Sequence, residues 1–185
     1  MKVIIATTLA LCALSGPASA QRMGMINQNA PSIEQKMDLG KTGVIELSYA
    51  GINFGQGNWA STLEDEKRRE GMRTRINSTA DQAPLGTFST TKNIKLGETS
   101  VQAGEYDLAF KLNDEFEWEL SLTSDDAKAT VPLELADTEE LSKRLVLSVY
   151  AGDEDFTGGL YLAFGQRFGM LSITPAAAVS VEKVK

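Results

Sequence analysis

Two runs of alternating residues, joined by a turn too short to hold a helix, constrain this chain more than any other feature. Tyr106, Leu108, Phe110 and Leu112 take every second position, with Glu105, Asp107 and Lys111 among the residues between and beside them. The following run repeats the pattern, with Phe116, Trp118, Leu120 and Leu122 in one phase and Glu117, Glu119 and Ser121 in the other. A period of two places each set on one face of a strand. The Asn113-Asp114 junction suits a hairpin. A lone hairpin is marginal in water, so its apolar face needs a cover, and a second sheet is the expected one.

Further runs extend the pattern. Gly43 to Ala50 alternates through Ile45, Leu47 and Tyr49. Thr87 to Ile94 reads as one threonine-rich strand, and Glu98 to Val101 as a short segment before the Ala103-Gly104 turn. Strands are also expected over Thr130 to Leu135, Arg144 to Ala151, Leu160 to Phe164 and Met170 to Thr174. Pro132 cannot donate to a ladder, which places it on an edge strand or at a bulge. The capping-box pattern Ser61-Thr62-Leu63-Glu64, with Gly71 as a stop, predicts a short helix from Thr62 to Glu70. Thr138 to Lys143 suits a helical turn. The sum is about eight short strands with one short inserted helix, an all-β antiparallel β-sandwich or barrel-like domain over residues 41–175.

Lys2, the apolar run Val3 to Leu14 and the Ala18-Ser19-Ala20 exit have the layout of a secretory signal peptide over residues 1–20. The run is too short to span a bilayer. Residues 21–40 are polar and without clear period, and read as a mobile N-terminal arm carrying Met23, Met25 and Met37. Residues 176–185 form a C-terminal tail. The expected compartment is periplasmic or secreted.

Removing twenty of 185 residues leaves 165, and takes away Cys12, the sole cysteine, and Lys2, moving the formal charge from −7 to −8. With no histidine and no remaining cysteine there is no disulfide framework, no thiol chemistry, no His-based triad and no His or Cys zinc site. A chain of this length can rely on its core instead. The acidic balance argues against nucleic acid as a partner. No cofactor motif is present.

Two stretches could bind. Lys67, Arg68, Arg69, Arg73 and Arg75 crowd together in an otherwise acidic protein. Arginine forks pair bidentately with carboxylate or phosphate, so Arg73, Thr74, Arg75 and Asn77 are candidate anion-binding residues. Trp59, in a glycine-rich stretch, could stack on a sugar ring or cap one end of the core. The same cations could instead form a solvated helix face neutralised by Glu64, Asp65, Glu66 and Glu70. The other stretch is the loop with Asp153, Glu154 and Asp155, whose hard oxygens suit calcium, although no EF-hand spacing is present.

The run Asn93-Ile94-Lys95-Leu96-Gly97, then Val101 to Leu108 with its Ala103-Gly104-Glu105-Tyr106 core, then Trp118, resembles a secreted bacterial family. It is the domain-of-unknown-function family numbered twenty-nine eleven, and the similarity extends from about Thr42 to Pro175. Arg73, Thr74 and Asn77 stand where that family shows W-R-T-G-A-N. Met72 replaces the tryptophan, and Arg75-Ile76 the small pair.

Two functional classes follow. The leading one is a non-catalytic module of the bacterial envelope that binds a small anionic or sugar-like ligand through Trp59, Arg73, Thr74, Arg75 and Asn77. The alternative is a structural or protein-interaction β-domain that meets an envelope protein and takes no small ligand. A His-independent hydrolase ranks third, because no carboxylate pair can be placed across a cleft.

Overall fold

The computed structural model describes residues 30–54, 65–154 and 156–176. They form an all-β fold of ten strands in two antiparallel sheets with one α-helix, which bears out the sandwich-like architecture. The strands are β1 Ser32–Asp38, β2 Val44–Ala50, β3 Gly86–Thr90, β4 Ile94–Leu96, β5 Thr99–Val101, β6 Gly104–Leu112, β7 Trp118–Thr123, β8 Lys128–Pro132, β9 Ala136–Ala151 and β10 Gly158–Pro175. The helix, α1, is Glu66–Gln82. The first sheet runs β1-β2-β3-β6-β7-β8, the second β5-β4-β10-β9. No described helix is long and apolar enough to cross a membrane.

The organising hairpin sits inside the first sheet, with Leu108 opposite Leu122 and Leu112 opposite Trp118. Leu108, Leu120 and Leu122 are fully buried beside Ile45, Leu47 and Phe88 of the same sheet. Ile94, Leu96, Leu147 and Ile173 of the second sheet close the core. Pro132 lies at the end of β8, the edge strand of the first sheet, as its missing donor requires.

Several boundaries differ from the sequence expectation. Residues 32–38 of the supposed arm are β1, paired along its whole length with β2. The expected single strand from Thr87 to Ile94 is broken at Thr91–Asn93, where the chain leaves the first sheet for the second. The β4–β5 hairpin is an excursion, since β3 and β6 are neighbours. Asn93 Oδ1 ties the two crossings by accepting from Ala103 N at 2.8 Å. Thr138 to Lys143 belongs to β9 and not to a helical turn. Phe116 leaves the strand phase: Asn113 Oδ1 accepts from Glu115 N and Glu117 N at 3.0 and 2.8 Å, and Phe116 turns at φ 64°.

The two expected strands of residues 160–164 and 170–174 are arms of one long strand, β10, with register shifts around Gly165. Tyr150 pairs with Gly159, yet its hydroxyl lies 3.7 Å from Met170 Sδ. Eleven extended residues would span about 36 Å, so the chain doubles back between them. Gly165, at φ 64° with the Phe54 ring where a side chain would stand, sits at that bend.

Where the sheets part at β9, a short backbone bridge and two side chains take over from strand pairing. Leu145 N donates to Ile52 O, Leu147 N to the Tyr49 hydroxyl and Val149 N to Gln35 Oε1, at 2.8, 2.9 and 3.0 Å. Leu147 O accepts from both Tyr49 and Gln35. On the opposite side Thr99 Oγ1 donates to Thr130 O at 3.2 Å, linking β5 to β8. Both seams are thereby stitched.

Candidate functional site

Arg73, Thr74, Arg75 and Asn77 all lie on α1, which corrects the expected helix end. The helix begins at Glu66, capped by Asp65 accepting from Lys67 N, and runs through Gly71 to Gln82. A side chain at Gly71 would meet nothing within 4 Å, so nothing forces a stop there. The proposed capping box at 61–64 and Trp59 lie outside the described residues.

Helical spacing brings Arg69, Arg73 and Asn77 onto one stripe, beside the buried Ile76 and Ala80. This stripe meets the end of β6. β3 stops pairing at Leu108, so the last residues of β6 have no strand on that side. Asn77 supplies what a strand would have supplied. Its Nδ2 donates to Leu112 O at 2.9 Å and its Oδ1 accepts from Leu112 N at 2.9 Å. Lys111 adds an ion pair to Asp81.

One turn earlier, Arg73 reaches the tip of the β6–β7 hairpin. Its Nη2 and Nε hold the two Glu70 oxygens at 2.8 and 3.1 Å, and its Nη1 holds Asp114. Both carboxylates favour the charged guanidinium, Glu70 foremost, and raise its pKa above the ordinary arginine value. The Phe116 ring lies 4.6 Å from the Arg69 guanidinium and 5.8 Å from that of Arg73. A bulky residue at positive φ costs about 1–2 kcal/mol, and here it places the ring under two cations. Thr74 and Arg75 are exposed on other faces of the helix, so the four expected residues that are described do not converge.

At the acidic loop, Asp153 and Glu154 are exposed, and Asp155 lies outside the described residues. Glu154 O accepts from Thr157 N and Thr157 Oγ1. Phe156, also at positive φ, carries Lys41 over its ring at 4.7 Å, and its carbonyl accepts from the buried Thr42 hydroxyl. Among the described residues no three acidic side chains come together as a metal site would need.

Between the sheets a gap of about 10 Å³ is lined by leucines, among them Leu120, Leu133 and Leu147. That is room for about one water. On the outer side of the second sheet Val146, Tyr150 and Met170 are exposed. Hairpin parity did not single these out, because an exposed apolar residue on a strand looks like a core residue until its face is known.

Comparison of the chain with protein-family models, with curated proteins and with solved structures returned no match.

Proposed function

We propose that this chain is a non-catalytic β-sandwich domain of the bacterial envelope, periplasmic or secreted, that works by contact with another protein and not by holding a small ligand. The observation that carries this reading is the employment of the expected ligand groups inside the fold. Arg73 is already held by two carboxylates, and both amide atoms of Asn77 by Leu112. A phosphate or carboxylate arriving there would have to displace Glu70 and Asp114. The signal-like N-terminus and the resemblance to a secreted bacterial family support the compartment. The apolar outer side of the second sheet, with Val146 and Tyr150, is the surface such a contact would use.

The test pairs two measurements. A thermal-shift screen of the full chain against phosphate, citrate, calcium and oligosaccharides should stay flat, whereas a ligand at a hundred times its Kd would add about 2.7 kcal/mol. Crosslinking in envelope extract should capture a defined partner, and Val146→Glu should lose it while keeping its thermal midpoint. A phosphate- or citrate-induced shift abolished by Arg73→Ala would overturn the proposal in favour of an anion site.

A further inference from the structure

Met170 is the most exposed of the large apolar side chains described here, with 62% of its surface open. Met37 and Met72 are half-buried. A thioether reacts with peroxide according to its exposure, so the fold distinguishes Met170 from those two. Its sulfur is also oriented. The Tyr150 hydroxyl lies 3.7 Å from Sδ and donates to it, occupying one of the two sulfur lone pairs. The contact exists because β10 doubles back at Gly165, carrying Met170 alongside the strand pair that holds Tyr150.

We propose that Met170 is a site of methionine oxidation by peroxide, with Tyr150 as the positioning residue. The lone pair left free attacks one peroxide oxygen, the O–O bond breaks, and that oxygen stays on sulfur. The other oxygen leaves as water after proton transfer within the peroxide and solvent. The sulfur loses two electrons, the peroxide gains them, and the protein undergoes no net change in protonation. Because Tyr150 holds one lone pair, oxygen arrives on the other, and one sulfoxide epimer dominates. The product replaces an apolar thioether beside Tyr150 with a strongly polar group. A polar group there changes the character of the outer side of the second sheet. The chemistry itself is independent of whether that side meets a partner.

The experiment treats the full chain with limiting hydrogen peroxide and follows Met170, Met37 and Met72 by peptide mass spectrometry. Two reductases specific for opposite sulfoxide epimers then read the stereochemistry. Met170 should oxidise several-fold faster than the other two, and one reductase should reverse most of it. In Tyr150→Phe, checked for folding by circular dichroism, the rate advantage should remain while the epimer bias disappears. Oxidation of Met170 no faster than that of Met37 and Met72 would overturn the site. Equal epimers in the unaltered chain, or an unchanged bias in Tyr150→Phe, would overturn the role of Tyr150.

Discussion

Replacing Asn77 by alanine tests whether this residue is part of the fold or part of a binding site. The side chain satisfies both backbone groups of Leu112, each at 2.9 Å, and Leu112 is 2% exposed. Stranding one buried backbone group costs about 1–3 kcal/mol. Two are stranded here, but Asn77 itself is only half-buried, so water can follow the shortened side chain. The expected loss is therefore near the low end for two groups, about 2–3 kcal/mol. For a domain of this size each kcal/mol moves the midpoint by roughly 2–4 °C, which gives a drop of about 5–10 °C. Thermal unfolding by circular dichroism measures it. Hydrogen exchange should also show the Leu112 amide losing protection before its β7 neighbours. A midpoint within about 2 °C of the parent would refute the docking argument, because that small a change fits an exposed polar residue.

Gly86→Ala should prevent correct folding, because its Cβ would stand 1.9 Å from Ser48 O and 2.6 Å from Tyr49 Cα in the paired β2. Loss of soluble protein or of the cooperative transition would show this, and a normal transition would refute it. The Lys36–Glu46 pair, at 2.5 Å on exposed side chains, predicts a pH effect of known sign. The hydrogen bond that Lys36 donates to the Glu46 carboxylate raises the Lys36 pKa above its ordinary 10.5. Its stabilisation is thus complete below 10.5 and fades as pH rises through the folded value. Lys36→Met should match the parent's alkaline stability profile only at the top of that range, a convergence that salt would also bring about.

Much of the fold was legible because its core strands keep strict alternation. Ile45, Leu47 and Tyr49 on β2, Leu120 and Leu122 on β7, and Leu145, Leu147 and Val149 on β9 all point inward as their period requires. β1 was hidden because its central inward position is Gln35, which breaks the apolar alternation of Ile33 and Met37. The extent of α1 was hidden because only Ile76 and Ala80 are buried along it, too few to give a helical period. β3 and β4 merged in the reading because alternation continues across a corner that no proline or glycine marks. Phe116 kept the strand phase in sequence while its backbone turned away. The fold partners of the candidate site residues were hidden for a related reason. The partners of Arg73 and Asn77 are Asp114 and Leu112, 41 and 35 residues further along. No local pattern announces such pairs.

Gln35 shows how far that argument reaches. By pattern alone Gln35→Leu should improve β1, since it restores an unbroken inward row with Ile33 and Met37. The physical accounting predicts the opposite. Half-burying a leucine in place of glutamine gains about 1 kcal/mol, part of the range for full burial. Against that, the Val149 amide loses its only described acceptor, at a cost of about 1–3 kcal/mol. Leu147 O keeps the Tyr49 hydroxyl and is less affected. The net expectation is a loss of about 1 kcal/mol on those two terms. Moreover, β9 is an edge of its sheet, and an edge with a free donor invites pairing with another chain. Light scattering across a concentration series should therefore show self-association of Gln35→Leu that the parent lacks. A monomeric variant with a raised midpoint would mean that the Gln35 bridge to β9 is incidental, and that Tyr49, the Ile52 backbone and packing hold the seam without it.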